Sequence, residues 1–76
     1  MILNHYQEIN MEITVNGEKQ TIETQVTVAQ LLESLEIDPE TVVIERNLDI
    51  LRLEDHGETL LVEGDSIEII RMVDGG

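Results

Sequence analysis

The chain has 76 residues, 17 acidic against four basic side chains, a formal net charge of −13 and no cysteine. This length allows one small domain, and without cysteine that domain has neither disulfides nor thiolate metal sites. The charge argues against nucleic acid and anionic membranes, whose phosphates are bound by Lys and Arg, and favours basic partner surfaces. Because no apolar run approaches a membrane span and no signal-peptide pattern opens the chain, we expect a cytoplasmic protein.

An N-terminal hairpin is the first regular feature. Residues 1–10 show no clean period, so we expect a flexible or loosely docked extension, with an upstream start site or a partial extra strand as the alternatives. From Met11 to Val15 apolar and polar residues alternate, which indicates a half-buried strand. Asn16-Gly17 is a strong signal for a two-residue hairpin turn, and residues 19–24 then return as the second strand.

A short helix is predicted over residues 27–35. Thr27 and Gln30 have the spacing of a capping box, in which each side chain bonds the other residue's backbone N–H. We expect Asp38-Pro39 to end the helix, because the proline ring disfavours helical backbone in the preceding residue. The apolar stripe that would face the core has helical spacing and consists of Val28, Leu31, Leu32 and Leu35.

The rest of the chain reads as three strands with short connections. β-Branched and apolar residues predict strands over residues 42–46, 50–53 and 66–73. Turns are predicted at residues 47–49 and 64–65. Residues 54–63 break the alternation, so we predict an irregular or 3₁₀ crossing with Leu60 and Leu61 packed against the core.

The resulting order, β-β-α-β-β-β, predicts an α+β fold with a mixed sheet and one main helix on one face. The helix-covered face should receive Ile13, Val15, Ile22, Val42, Ile44, Ile67 and Ile69. The open face should receive Glu68, Ile70 and Met72 from the last strand. Two apolar side chains at i and i+2 on a solvated face are typical of a docking patch for a partner.

The C-terminal end of the sequence is the most unusual stretch. The last strand is followed by Asp74 and then by Gly75-Gly76. Because glycine has no Cβ, another protein's backbone can approach it from all sides, as a tail threaded into a partner's active site requires. We expect a domain over residues 11–73 and a flexible tail over residues 74–76.

No catalytic residue is predicted in this chain. We interpret Glu54, Asp55, His56 and the neighbouring Glu45-Arg46 as solvated surface. His5 and His56 are isolated histidines without the neighbours that a zinc site needs, so no metal site is predicted either.

Four segments of the sequence form a pattern: Val15-Asn16-Gly17, Val28-Ala29-Gln30-Leu31-Leu32, VEGDSIEII at residues 62–70, and Gly75-Gly76. This pattern resembles the ThiS family, the ubiquitin-like sulfur carriers of thiamine biosynthesis. The resemblance covers about residues 11–76 and implies a β-grasp, or ubiquitin-like, fold. Residues 1–10 lie outside the family pattern, and Asp74 stands where many members have glycine.

The resemblance also implies a function centred on Gly76. In this family an adenylyltransferase of the ThiF type activates the terminal carboxylate with ATP, and sulfur from a donor enzyme then replaces one oxygen to give a thiocarboxylate. A thiazole synthase takes this sulfur while building the thiazole ring. The carrier is then not an enzyme and binds no permanent cofactor, because ATP is used by its partner.

Three other interpretations fit the same sequence. The chain could carry sulfur for another pathway, such as molybdopterin assembly, where the small subunit shares the fold and the Gly-Gly end. It could be a protein modifier that is attached to lysines through the same carboxylate. It could also be an interaction domain without chemistry. The ThiS-type spacing and the short length favour thiamine biosynthesis.

Overall fold

The computed structural model describes residues 10–72, which form a five-stranded sheet and one main helix. The strands are β1 (Asn10–Val15), β2 (Glu18–Glu23), β3 (Val42–Arg46), β4 (Asp49–Leu51) and β5 (Ser66–Arg71). The helix α1 is Val28–Ser34, and two 3₁₀ helices follow it, Pro39–Thr41 and Leu53–Glu58. The predicted order of strands and helix is confirmed. Within this part of the chain no helix is long and apolar enough to cross a membrane.

The sheet has the strand order β2-β1-β5-β3-β4 and is mixed. The last strand, β5, therefore lies at the centre, parallel to β1 and antiparallel to β3. β2 and β3 run in the same direction, with β1 and β5 between them, and α1 lies in the connection that joins them. One helix on one face of such a sheet is the arrangement predicted for a β-grasp fold.

The first hairpin forms as predicted. Asn16 and Gly17 have φ angles of 49° and 84°, both in the left-handed region that a two-residue hairpin loop demands. Asparagine and glycine tolerate this region better than other residues, so the dipeptide determines the turn. β1 begins at Asn10, one residue before the predicted start. The predicted extension and tail lie mostly outside the described residues and stay predictions.

The helix has the predicted N-terminal cap but a different end. The backbone N–H of Gln30 donates to Thr27 Oγ1 at 3.1 Å, and the N–H of Thr27 donates to Gln30 Oε1 at 2.9 Å, which completes the capping box. The C-terminal end is set by Glu36, which has a φ of 61° and breaks the helix before Asp38 is reached. The prediction that Asp38-Pro39 ends the helix is therefore wrong.

Asp38-Pro39 instead begins the first 3₁₀ helix. Asp38 caps this helix by accepting the N–H of Glu40 on Oδ1 at 3.0 Å, and Pro39 occupies the first position, where its missing N–H costs nothing. The second 3₁₀ helix, Leu53–Glu58, was predicted as an irregular or 3₁₀ crossing. Because it starts at Leu53, β4 ends at Leu51 and not at the predicted residue 53.

The core is aliphatic and lies between the sheet and α1. Its buried side chains are Met11, Ile13, Val15, Val28, Leu31, Leu32, Val42, Ile44, Leu61 and Ile67. Ile22 and Ile69, also predicted for this face, are partly buried against it. Two predictions fail, because Leu35 and Leu60 are exposed. Leu35 caps the helix end, and Leu60 precedes Leu61, whose N–H donates to Val26 at 2.9 Å and whose side chain enters the core.

A buried carboxylate fixes the start of β5. Asp65, predicted only as part of a turn, accepts hydrogen bonds from Arg46 Nε at 3.0 Å, Asn47 Nδ2 at 2.9 Å and the Val62 N–H at 2.9 Å. Gly64 permits the turn before it with a φ of 88°. The interpretation of Arg46 as solvated surface is wrong, because its half-buried guanidinium forms an ion pair with this carboxylate.

Two asparagine side chains extend the pairing of β5 on either side. The Ile69 N–H donates to Asn16 Oδ1 at 2.7 Å, and the Ser66 N–H donates to Asn47 Oδ1 at 2.9 Å. Asn47 also has a positive φ, 53°, in the turn between β3 and β4. Both amides occupy left-handed turn positions and supply acceptors to β5 where strand pairing ends. β5 is consequently held from both flanks.

Truncation of a core side chain should lower the free energy of unfolding of this small domain substantially. We expect Leu32→Ala to lower the free energy of unfolding by about 2–5 kcal/mol, because Leu32 is fully buried under the sheet. Urea unfolding followed by circular dichroism measures this loss. Leu35→Ala is the matched control, and the same truncation at that exposed position should cost about 0.5 kcal/mol or less. Equal losses in the two variants would contradict this description of the core.

The buried carboxylate predicts a specific pH dependence. Burial by itself would raise the pKa of Asp65, but hydrogen bonds from Val62, Asn47 and Arg46 outweigh it and hold the pKa below the ordinary value of 3.8. A carboxyl whose pKa is lowered by folding stabilises the fold above its unfolded pKa. That stabilisation is lost as the pH falls through the folded pKa.

Asp65→Asn should therefore destabilise the fold at pH 7. On acidification the free energy of unfolding of this variant should fall less than that of the parent protein. The difference in unfolding free energy between parent and variant, measured in urea from pH 7 down to pH 2, should shrink toward the acid end. Asp49→Asn, at an exposed carboxylate on β4, is the control and should leave the difference near zero throughout. A difference for Asp65→Asn that is constant with pH would overturn this assignment.

Candidate functional site

The face of the sheet opposite α1 carries an apolar patch. In the β3–β5 pairing Ile44 lies opposite Ile69, and Val43 lies opposite Ile70. Ile44 is fully buried in the core, so Val43 and Ile70 point to the other face, because successive side chains alternate. Met72 continues this row, since its N–H donates to the Thr41 carbonyl at 3.0 Å.

Ile50 adds a third strand to this patch. It pairs with Glu45 across the β3–β4 hairpin and so lies on the open face, diagonal to Val43. We call Val43, Ile50, Ile70 and Met72 the open-face patch. Val43 is half-buried, whereas Ile50, Ile70 and Met72 are 61%, 43% and 49% exposed. Side chains so apolar and so exposed next to one another are typical of an interaction surface.

Half of the open-face patch follows from the sequence. Ile70 and Met72 were predicted for the open face and lie there, whereas Val43 and Ile50 were missed. The alternation within residues 42–46 could have revealed Val43, because Val42 and Ile44 point to the core. Ile50 could not be assigned without the strand register, which follows from the tight turn at Asn47.

The other end of the open face is acidic. Glu68, the third residue predicted there, lies directly opposite Glu45 on the neighbouring strand. Two carboxylates facing each other across a strand pair repel and destabilise the sheet. On β3 and β5 the open face therefore has a polarity, with Val43, Ile70 and Met72 toward the end of β5 and the paired carboxylates toward its start. Ile50 on β4 lies beside Glu45.

The predicted tail begins beside the patch. Met72 is the last described residue, and residues 73–76 follow it directly in the chain. Asp74, Gly75 and Gly76 lie outside the described residues, so their predicted roles stay predictions. Four extended residues span at most about 14 Å, which is the upper limit on the distance between Met72 and Gly76.

His56 is buried, contrary to its interpretation as solvated surface. It lies in the second 3₁₀ helix with only 4% of its surface exposed, and its Nδ1 has no hydrogen-bond partner among the described residues. A buried polar atom without a partner costs about 1–3 kcal/mol. His56 also lines a cleft of about 300 Å³ that continues the open-face patch, with walls that include Val43, Ile50, Leu53 and Met72.

The other candidate residues form no catalytic arrangement in residues 10–72. Arg52 and the exposed Glu54 form a surface ion pair, and the Asp55 carbonyl accepts a hydrogen bond from the Thr59 hydroxyl at 2.7 Å. Glu45 and Asp55 are half-buried, not fully solvated. No cluster of His, Asp or Glu in this part of the chain is placed to hold a metal ion. His5 lies outside the described residues.

A family model and solved structures of known proteins indicate the same family for this chain. The model of the ThiS family matches residues 5–76, a range that starts within the predicted extension and includes Gly75-Gly76. The fold is similar to the crystal structure of a thiamine biosynthesis protein (ThiS) from Geobacter metallireducens, with a TM-score of 0.76 and 32% identity. That match covers 87% of this chain and 100% of the other. The NMR solution structure of a thiamine biosynthesis protein from the same organism has a TM-score of 0.70.

Two curated relatives are larger proteins. The chain is 33% identical over 66 residues to a thiazole synthase of Paramagnetospirillum magneticum and 36% identical over 66 residues to a thiazole synthase of Magnetococcus marinus. Each match covers 87% of this chain but only 20% of the relative. This chain therefore spans about a fifth of the length of the curated relatives it matches.

Proposed function

This chain belongs to the ThiS family, and on that basis we propose that it is a sulfur carrier protein of thiamine biosynthesis. The observation that carries the proposal is the family match over residues 5–76, which extends through Gly75-Gly76. The match to the thiamine biosynthesis protein of Geobacter metallireducens, over the full length of that chain, supports the thiamine pathway over molybdopterin assembly or protein modification.

The proposed chemistry takes place on the Gly76 carboxylate. A carboxylate is a poor electrophile, but its adenylate is an acyl anhydride with AMP as a good leaving group. A sulfur nucleophile can attack that carbonyl, expel AMP and leave a thiocarboxylate, which is a soft nucleophile at neutral pH. No step requires a side chain of the carrier. An adenylyltransferase of the ThiF type would bind ATP, supply the active site, transfer AMP to the carboxylate and release pyrophosphate.

A thiazole synthase is the proposed acceptor of the sulfur. The two curated relatives named thiazole synthase contain a stretch similar to this chain in about a fifth of their length. Segments that are joined in one chain commonly act on a shared task, so this joining supports a thiazole synthase as a partner here. The sulfur donor would be a third protein, which transfers sulfur to the activated Gly76.

The open-face patch is the proposed docking surface for these partners. A short tail that is ordered on binding loses conformational entropy and makes few contacts, so the globular body must contribute binding energy. The patch lies beside the start of the tail, where an enzyme that draws in Gly76 must approach. The carboxylates at Glu45 and Glu68 would raise the association rate with a basic partner and add salt dependence.

Deletion of Gly76 should abolish activation without unfolding the domain. The truncated chain lacks the carboxylate at the position where the adenylyltransferase requires it, whereas the core residues are untouched. ATP–pyrophosphate exchange measures adenylation, and intact mass spectrometry of the protein from its own cells should show one oxygen replaced by sulfur only in the full chain. Asp74→Gly, which preserves tail length, is the control and should remain active. Normal activation of the truncated chain would refute the carrier function.

The patch should control docking separately from the tail. We expect Ile70→Ala with Met72→Ala to raise the KM for the adenylyltransferase about tenfold or more, because truncated apolar anchors typically cost over about 1 kcal/mol of binding each. The thermal unfolding midpoint should stay close to that of the parent.

Leu35→Ala with Leu60→Ala is the matched control, because it removes similarly exposed apolar groups from the helix side of the domain. It should leave the KM unchanged. Glu68→Lys tests the electrostatic part and should change mainly the salt dependence. Unchanged kinetics in the Ile70 and Met72 variant, with a loss only in the charge reversal, would show that docking is electrostatic.

A further inference from the structure

A groove of about 400 Å³ lies at the end of the sheet where β1 begins. Met11 and Leu61 line it and are both buried, so the groove reaches down to the hydrophobic core. Leu60 and Val62 line it as well, and each is 51% exposed. At this end of the sheet the core is therefore accessible through an apolar groove.

The groove forms where two segments diverge beside β1. β2 pairs with β1 as far as Glu23, which lies opposite Asn10. Gln25, with a φ of 68°, then turns the chain toward α1, and the Val26 carbonyl accepts the Leu61 N–H at 2.9 Å. The end of the hairpin pairing leaves space next to Asn10, which lines the groove. The chain consequently enters β1 from this groove.

The groove is nearly uncharged, although the chain has a net charge of −13. Among the described residues that line it only Glu63 is charged, and that carboxylate accepts the Glu12 N–H at 3.0 Å. A basic partner is therefore attracted here far less than to the open face, which carries Glu45 and Glu68. The occupant that fits is apolar and uncharged, because a charged group would lose its hydration against these walls.

The residue directly before β1 has this apolar character. Ile9 is bonded to Asn10 and lies outside the described residues. Side chains along β1 alternate between the two faces of the sheet, and Met11 and Ile13 point to the core. One further step of this alternation assigns Ile9 to the same side, at the end of the core that the groove leaves accessible.

Tyr6 can cover the remainder of the groove. It is the one aromatic residue of the chain, and it belongs to a run, residues 1–7, without Asp, Glu, Lys or Arg. Four extended residues separate it from Asn10 by at most about 14 Å. Its ring is apolar, and its hydroxyl can stay in water at the mouth of the groove. A segment attached at the groove has an effective concentration on the order of millimolar, which favours it over a free partner.

We propose that residues 5–9 of this chain cover the groove. Ile9 packs against Leu61 at the floor, and the Tyr6 ring covers Leu60 at the rim. The match of the ThiS family model starts at residue 5, so it includes this segment in the domain.

The docked segment leaves the tail accessible. Because β1 and β5 are parallel, the groove at the start of β1 lies at the opposite end of the sheet from Met72. The inference therefore goes beyond the proposed function and does not depend on it.

The sole tyrosine of the 76-residue chain is a built-in reporter for this contact. NOE spectra should show the Tyr6 ring close to the Leu60 methyl groups and the Ile9 methyl groups close to Leu61. The chain has no tryptophan, so its intrinsic fluorescence comes from Tyr6. Acrylamide should quench this fluorescence less in the whole chain than in a free peptide of residues 1–9. Equal quenching, or spectra without these NOEs, would overturn the proposal.

Two charged variants and one control sharpen the test. Leu60→Asp should raise the acrylamide quenching constant to that of the free peptide, because the carboxylate replaces the apolar rim. Ile9→Asp should do the same from the segment's side, and it leaves the buried core unchanged if the first variant fails to fold. Leu53→Asp is the matched control, since Leu53 is similarly exposed, at 49%, but does not line the groove. Quenching in both charged variants that equals that of the parent would contradict the docking.

Two further measurements distinguish this occupant from others. Isotope-filtered NOE spectra of mixed labelled and unlabelled chains should show no contact between Tyr6 and Leu60 of different copies. Such a contact would assign the groove to a second copy and overturn the proposal. The KM of the adenylyltransferase should be the same for Ile9→Asp and for the parent, because the groove and the tail lie at opposite ends. A raised KM would assign Ile9 to that enzyme instead.

Discussion

The buried carboxylate of Asp65 is the interaction on which the arrangement of this domain depends. It accepts hydrogen bonds from Arg46 and Asn47 at the end of β3 and so connects them to the turn before β5. The two strands therefore pair in one fixed register. That register decides which side chains of β5 face the helix and which face outward, because a slip of one residue would exchange the two sets. The open-face patch and the position of Met72 both follow from this single connection.

The parts of the fold that sequence predicts well are those fixed by neighbouring residues. Asn16-Gly17 specifies its turn, and Thr27 with Gln30 specifies the start of the helix, because each signal acts over a few residues. The sequence predicts Asp65 only as part of a turn, because its side-chain partners Asn47 and Arg46 lie 18 and 19 residues away. His56 was read as surface for the same reason, since its burial depends on how the second 3₁₀ helix packs and not on local composition.

The open face would make two separate contributions to the proposed docking of partners. Val43, Ile70 and Met72 lie toward the end of β5, where they would contribute apolar contact area to the proposed complex. The facing carboxylates of Glu45 and Glu68 lie toward the other end and repel each other in the free domain. A basic partner would relieve that repulsion on docking, and this relief would favour the complex. Ile70 and Met72 can be assigned to the open face from the alternation of residues 67–72, whereas Ile50 requires the register of the β3–β4 pairing.

The central position of β5 has a consequence for how the chain matures. Asn16 and Ile69 bond to each other although they are 53 residues apart, and the strand that joins the two halves of the sheet is the last one to be synthesised. Contacts between such distant segments form slowly, since a long loop must close first. Until β5 is in place, Val43 has no Ile70 beside it and the open-face patch does not exist. An enzyme that binds this patch, as proposed, would thereby reject nascent and misfolded chains, so the geometry of the sheet would ensure that only folded chains are activated.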